Sequence, residues 1–384
     1  MKVYLDYGAT SFKKPGDVLG RMEEFFKSNN TNPGRGGYQL SLESAKMVFN
    51  TRLQLKTLFN VPIKDHVIFT KNVTEALNVA IKGLVRKGSH VLISSIEHNS
   101  VYRVVEHLKS QGIIDYDVIQ VSPEGLFPLD ELKQRIKVNT SLCIINHASN
   151  VSGHILPAAA IGKILRESNV SFIIDGAQTA GSIPVDFSEI GCDVFCFTGH
   201  KHLMGPMGTG GFLIKDEAAK RMDTLIDGGT GSFSEDAEMP LSMPDRFEAG
   251  TLNAVGIAGL QGALDYLLRQ DMGYLHSKEK SLHDRLYKGI RDIPGISFYG
   301  DMEADKLPVL SFNIKGIDSG ELAGLLDLKY GIMARSGLHC SPLAHQTFGS
   351  PGGSIRLSIG GYTTKEEIDY TIEVLNKLGN YKEV

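Results

Sequence analysis

Ser171-Phe172-Ile173-Ile174-Asp175-Gly176-Ala177-Gln178 and, a short way on, Val194-Phe195-Cys196-Phe197-Thr198-Gly199-His200-Lys201-His202-Leu203-Met204-Gly205-Pro206 decide the reading of this chain. Each stretch opens on a short apolar run, as a strand buried on both faces does, and then breaks into polar residues. A lysine just past a buried strand, between two histidines and a Gly-Pro turn, is poorly explained as a solubilising surface charge. A carboxylate and a lysine at neighbouring strand ends are what pyridoxal phosphate requires. The lysine forms the Schiff base and the aspartate holds the pyridinium nitrogen protonated.

Outward from these runs the same pattern repeats. Val67-Ile68-Phe69-Thr70 ends at Lys71-Asn72-Val73-Thr74-Glu75, and Ala76, Leu77, Ala80, Ile81 and Leu84 then follow at helical spacing. His90 to Ser94 reads as the next strand, leading to Glu97-His98-Asn99, and Leu142 to Asn146 as another, leading to Ser149-Asn150. Residues 210–214 complete the set. Strand and helix alternating in this way predict an α/β fold with a mostly parallel sheet covered on both faces. Such sheets bind ligands beyond the carboxyl ends of their strands. Thr74, His98, Asn150, Asp175, Gln178, Thr198, His200 and Lys201 all fall at those ends.

Past Asn253 the pattern changes. Residues 254–291 read as long helical segments. Strands are expected over 307–314 and 355–359, and helices over 319–328 and 365–378. The reading is a large domain over 15–253 and a smaller α+β domain built from 1–14 plus 254–384. A chain of 384 residues exceeds the size at which one core usually stops growing, in keeping with two domains. The glycines at 205, 208, 210 and 211 do not open a helix after a strand, which disfavours a dinucleotide fold.

Composition bounds the partners. Apolar residues make up 42% and charged residues 22%, ordinary for a soluble globular protein. A formal charge of −4 argues against nucleic acid as a main partner. No apolar stretch is long enough to span a membrane, and Met1 to Asp6 has no signal-peptide character, so the expected location is the cytoplasm. The four cysteines include no CxxC pair, which points to neither a disulfide framework nor a metal site. Cys143, Cys192 and Cys196 sit in or beside apolar runs and read as small buried hydrophobes. Cys340 differs. It lies in Ala334-Arg335-Ser336-Gly337-Leu338-His339-Cys340-Ser341-Pro342, a polar loop whose cationic neighbours favour a thiolate.

At this point the chain resembles a known family. Tyr4-Leu5-Asp6-Tyr7-Gly8-Ala9-Thr10, Asn32-Pro33-Gly34-Arg35-Gly36, Asn72-Val73-Thr74-Glu75-Ala76, Asn146 to Gly153, Asp175 to Gln178, Thr198 to Lys201, Phe247-Glu248-Ala249-Gly250-Thr251 and Arg335 to Cys340 together resemble the cysteine desulfurases. These are class V aminotransferase-type enzymes of the pyridoxal-phosphate-dependent transferase fold type I. The Arg-x-Gly-x-His-Cys form resembles the branch that serves scaffold-linked sulfur acceptors, as in iron–sulfur cluster assembly, and the selenocysteine lyases.

The resemblance implies roles for particular residues. Val73 and Thr74, at a helix start, would bind the phosphate, with Thr198 and His200 completing the cradle. Thr230 would reach the phosphate from a partner subunit, so a homodimer is expected. His98 would stack on the ring and move protons. Gln178 and Asn150 would contact the ring hydroxyl and the substrate, and Asp175 would pair with the ring nitrogen. Arg356 would take the substrate carboxylate, with Arg335 also near the substrate. L-cysteine would become L-alanine, its sulfur passing to Cys340 as a persulfide and on to an acceptor protein. Arg335, His339 or the cofactor site itself would raise the thiolate fraction of Cys340.

Two positions depart from the family pattern. Position 7 is tyrosine where asparagine is usual, and position 338 is leucine where the nearest branch often has histidine. Tyr7 is expected to narrow the substrate pocket and Leu338 to alter the Cys340 loop. The alternatives left open are a selenocysteine lyase, another class V transamination or cleavage with Cys340 incidental, and a non-catalytic scaffold.

Overall fold

The computed structural model describes residues 1–34, 36–232 and 234–379. Arg35, part of one of the motifs above, lies outside the described residues. The strands are Val3–Tyr4 (β1), His66–Thr70 (β2), Ser89–Ser94 (β3), Ile114–Ile119 (β4), Thr140–Asn146 (β5), Ser171–Asp175 (β6), Val194–Thr198 (β7), Gly210–Ile214 (β8), Ile296–Phe298 (β9), Val309–Ile314 (β10), Ile332–Met333 (β11), Arg335–Gly337 (β12) and Ser354–Ser358 (β13).

Seven strands form the main sheet in the order β2-β8-β7-β6-β5-β3-β4. β8 runs antiparallel to β2 and β7, and the other pairings are parallel. The mostly parallel α/β sheet expected from the alternating pattern is therefore present. The middles of its inner strands are apolar because both faces are covered. Phe195 and Phe197 of β7 enter one core while Val194 and Cys196 enter the other. Phe172 and Ile174 of β6 likewise oppose Ile173. β8 passes so close to β2 that a Cβ on Gly211 would stand 2.2 Å from Ile68 O, so only glycine fits.

β4 escaped the sequence pattern. Ile114-Asp115-Tyr116-Asp117-Val118-Ile119 is an edge strand, and its central residues are partly or fully exposed. An edge strand needs no continuous apolar run. The N-terminal helices Gly16–Ser28 and Gln39–Leu58 also carried no clear signal.

The second assembly is an antiparallel sheet, β12-β13-β10-β9, beside the parallel pair β1-β11. Its core joins Val3 and Leu5 to Leu282, Leu310, Phe312, Ile355, Leu357 and Leu375, so both chain ends meet there. The helix Ala254–Leu267 belongs elsewhere. Its Ile257, Leu260, Leu264 and Leu267 enter the core of the large sheet. A Cβ on Gly262 would lie 2.4 Å from Asp17 O, a measure of how closely this helix lies against Gly16–Ser28. By core membership this helix packs with the large sheet, as do Ala344 and Phe348.

Candidate active site

The six similarly directed strands end on one side of the main sheet, and the polar residues singled out above lie just beyond those ends. Asp175 is the last residue of β6 and pairs in register with Asn146 of β5 and Cys196 of β7. It is 4% exposed. Its Oδ1 accepts from Ala177 N–H at 2.9 Å and its Oδ2 from Ser100 Oγ at 3.3 Å. Burial pushes its carboxyl up, while the Ala177 N–H, Lys201 and the Ser100 hydroxyl pull it back.

Lys201 follows β7 in a tight turn whose Lys201 carbonyl accepts from Met204 N–H at 2.9 Å. Among the described residues Lys201 Nζ makes no ion pair or hydrogen bond. Burial lowers its pKa to about 8, with Arg356 and Arg335 pushing the same way and Asp175 and Asp6 opposing them. A buried amine that is easily neutral is suited to imine formation and proton transfer.

The N-terminal stretch ties this centre together, a role the sequence reading quoted as a motif without assigning. Thr10 Oγ1 contacts His200 Nδ1 at 3.1 Å, and Ser11 N–H donates to His200 O at 2.9 Å. Gly8 O accepts from Gln178 Nε2 at 3.0 Å. Asp6 Oδ1 pairs with Arg356 Nη2 at 2.7 Å. Arg356 is 1% exposed, and its Nη1 donates to Asn150 O at 2.9 Å. A guanidinium buried this deeply needs such a partner to remain in place.

Among the described residues, Arg356 Nε and Gln178 Oε1 are buried without partners. Buried polar atoms seldom stay unpaired, so both are natural contacts for a bound molecule. At the start of the helix Val73–Leu84, Glu75 N–H is capped by Asn72 Oδ1 at 2.9 Å and Ala76 N–H by Asn72 O at 3.2 Å. The Val73 and Thr74 N–H groups have no acceptor among the described residues, an arrangement suited to an anion. Thr198 is buried at the end of β7, and burial lowers His200 to about 4. A phosphate facing a capped helix start, a buried carboxylate for a protonated ring nitrogen, and an unpaired amine fit pyridoxal phosphate.

His98 caps the helix Asn99–Ser110 through Nδ1, which accepts from Ser100 N–H at 3.1 Å. Burial, with Lys201, Arg335, Arg356 and Arg103 around it, lowers it to about 3, so it is a neutral imidazole.

Cys340 is exposed, and Cys143, Cys192 and Cys196 are buried, with burial pushing their thiols up. His339 and Cys340 both take left-handed backbone angles, φ 47° and 58°, which non-glycine residues adopt at a cost. Asn150 offsets that cost: its Nδ2 donates to His339 O at 2.8 Å and its Oδ1 accepts from Ser341 Oγ at 2.7 Å. Both polar ends of Asn150 thus hold the loop on either side of Cys340. Asn99 N–H adds a third tie, donating to Cys340 O at 2.8 Å. Arg335 Nη2 donates to Cys340 Sγ at 3.7 Å. Burial lowers His339 to about 2, so it brings no positive charge to the thiol, and Arg335 is the cation beside it.

Tyr7 does not stand where the sequence reading expected. Its ring is 4% exposed and packs edge-on to Tyr4 at 5.2 Å, and a Cβ on Gly360 would meet it at 2.2 Å. The next residue, Gly8, is the one that meets Arg356. Leu338 is 43% exposed, and its carbonyl accepts from Ser341 N–H at 2.8 Å. Among the described residues Thr230 Oγ1 bonds to Ser232 and to none of the other predicted residues. It lines a cleft of about 800 Å³ with Ser232, Asp236, Met239, Leu241 and Arg246. Among the described residues no cluster of His, Cys, Asp and Glu could hold a metal ion, and no helix is long and apolar enough to cross a membrane.

The chain is similar to known proteins over nearly its whole length. The family described as Aminotransferase class-V matches residues 3–371. A probable cysteine desulfurase of Methanothermobacter thermautotrophicus is 33% identical over 98% of this chain and 94% of its own length. A cysteine desulfurase of Escherichia coli O157:H7 is 30% identical over 98% of this chain and 93% of its own. The apo structure of a cysteine desulfurase from Thermococcus onnurineus superposes with a TM-score of 0.91 at 29% identity, covering 98% of this chain and 94% of that one.

Proposed function

Because the chain belongs to the class V aminotransferase family, with cysteine desulfurases among its full-length relatives, we propose that it converts L-cysteine to L-alanine using pyridoxal phosphate and passes the sulfur to Cys340. The observation that carries this is Lys201: a largely desolvated amine without an ion-pair partner among the described residues, one turn past the strand beside Asp175.

Bound at Lys201, pyridoxal phosphate supplies an electron sink for the bonds to the substrate's Cα and Cβ. The chain's own residues do the rest. Val73 and Thr74 N–H groups, Thr198 and His200 would hold the phosphate, joined by Thr230 of a second copy. Asp175 would pair as a carboxylate with the ring nitrogen, Gln178 and Asn150 would contact the ring hydroxyl, and neutral His98 would cover the ring face. Arg356, steered by Asp6, offers its partner-free Nε to the substrate carboxylate. Lys201 Nζ, with its pKa near 8, takes the Cα proton when free and returns it. Cys340 Sγ, beside Arg335, attacks the substrate sulfur. An S–S bond forms as the Cβ–S bond breaks, leaving a persulfide on Cys340 and, after protonation, alanine.

The assay is direct: incubate the protein with L-cysteine, L-selenocysteine and a panel of other amino acids, and measure sulfide, selenide and alanine. Alanine and sulfide from L-cysteine are expected. Selenide alone would favour a selenocysteine lyase, and keto acid without sulfide would favour transamination.

The reading extends to a homodimer, an acceptor protein for the persulfide sulfur, and a cytoplasmic setting. Exposed Leu225, Ile226 and Leu241 near Thr230 support the dimer. The separate cores support two domains, the smaller one built from both chain ends.

A further inference from the structure

We propose that Ser100 is a positioning residue that joins His98 to Asp175, an assignment that rests on the pyridoxal phosphate reading above. Three contacts carry it. Ser100 N–H donates to His98 Nδ1 at 3.1 Å, and Ser100 Oγ lies 2.9 Å from the same nitrogen. Ser100 Oγ also donates to Asp175 Oδ2 at 3.3 Å. Ser100 is 4% exposed, so bulk water does not compete for these contacts. Among the described residues it is the side chain that donates to this carboxylate.

The hydrogen atoms can be placed by counting donors. A backbone N–H only donates, so Nδ1 of neutral His98 accepts and its proton sits on Nε2. The hydroxyl has one proton and faces two acceptors, His98 Nδ1 at 2.9 Å and Asp175 Oδ2 at 3.3 Å; the negative charge of an ionised carboxylate draws that proton to Oδ2. If His98 takes up a second proton, Nδ1–H donates to Ser100 Oγ while the hydroxyl continues to donate to Asp175. In both states Ser100 keeps a donor on the carboxylate and leaves the Nε2 edge of His98 unchanged. The position follows from the helix start: His98 is the cap, and Ser100, two residues on, turns back onto the cap's ring and onto the end of β6.

The effect falls on the charge of Asp175. Burial disfavours the carboxylate; Ala177 N–H, Lys201 and Ser100 oppose it, and Asp175 in turn helps to raise neighbouring Glu97. Around His98 the charged groups are Lys201, Arg335, Arg356 and Arg103. Without the hydroxyl, Asp175 would hold a ring-nitrogen proton less firmly.

The test compares Ser100→Ala, Ser100→Thr and Asp175→Asn in the cofactor-loaded protein. Two readouts are independent of turnover: the pH midpoint of the bound cofactor's visible absorbance change, and the dissociation constant of pyridoxal phosphate. Ser100→Ala should move the midpoint by about half a pH unit or more and weaken cofactor binding on the order of tenfold, as loss of a hydrogen bond to a charged group does. Its kcat should fall with little change in KM for L-cysteine, and Ser100→Thr should restore wild-type behaviour. A Ser100→Ala protein with the wild-type midpoint and affinity overturns the inference. So does an equal loss in the alanine and threonine variants that follows their thermal stability. Asp175→Asn separates the two levels: if it alters the absorbance while Ser100→Ala does not, only the role of Ser100 falls. If Asp175→Asn leaves the absorbance untouched, the reading of Asp175 itself fails.

Discussion

In the proposed reaction Lys201 and Cys340 divide the chemistry between them, and each can be removed separately. Lys201 Nζ is the unpaired amine beside Asp175, so Lys201→Ala should abolish borohydride-reducible attachment of pyridoxal phosphate. Peptide mapping that finds the reducible adduct on another lysine would contradict this. Cys340 takes no part in holding the substrate carboxylate or moving the Cα proton. Cys340→Ala should therefore keep the cofactor, still change its spectrum on adding L-cysteine, and lose alanine production by at least ~100-fold. Mass spectrometry of wild-type protein after brief exposure to L-cysteine should find the added sulfur on Cys340 and not on buried Cys143, Cys192 or Cys196. At this scale much was legible: Lys201, Asp175, His98, Gln178 and Cys340 announce themselves by chemical type at the ends of apolar runs or in an odd loop. Ser100, Asp6 and Gly8 were not, because a serine, an aspartate and a glycine acquire their roles here only from what lies opposite them.

Among the elements, the helix Met272–Ile290 carries an unusual burden. Its Glu279 is 4% exposed, has Oε2 without a partner, and burial raises its carboxyl to about 8. In the unfolded chain the same group ionises near ~4.3. The folded state therefore binds the extra proton between those values, and stability falls as pH rises through that window, by up to about 1.4 kcal/mol per pH unit. Glu279→Gln removes the titration. Its thermal midpoint should exceed wild type at pH 8 and converge with it near pH 4; parallel curves at all pH values would show that Glu279 ionises freely in the fold. The strands show why some elements read easily. β6 and β7 are covered on both faces and so carry continuous apolar runs, Phe172 to Ile174 and Val194 to Phe197, whereas edge strand β4 mixes Asp and Tyr into its middle and leaves no such run.

At the scale of the whole molecule, Thr230 lines a cleft with Ser232, Asp236 and Arg246, and in the proposed dimer it would complete the phosphate cradle of a second copy. Mixing Lys201→Ala with Thr230→Ala chains tests this. If Thr230 crosses the interface, hybrid dimers contain one intact site, and an unfolded-and-refolded equal mixture should recover about a quarter of wild-type activity. Activity that stays at the sum of the two separate variants would place Thr230 outside the partner's site. Sedimentation of the wild type as an active monomer would count against the dimer as a whole.

The sequence by itself determined the sheet class, the strand ends and the reactive residue types, because a doubly covered parallel strand must be apolar and its ligand-facing end must not be. Tertiary structure alone decided which polar groups meet. Asp6 reaches Arg356 across a separation of 350 residues, and Asn150 reaches the Cys340 loop across 189. It also turned Tyr7 into the packing around Tyr4 and Gly360 and placed Ala254–Leu267 with the large core. Those outcomes depend on how two cores dock and on which backbone can approach which. Local periodicity does not encode that, since it reports a residue's own face and not the face opposite.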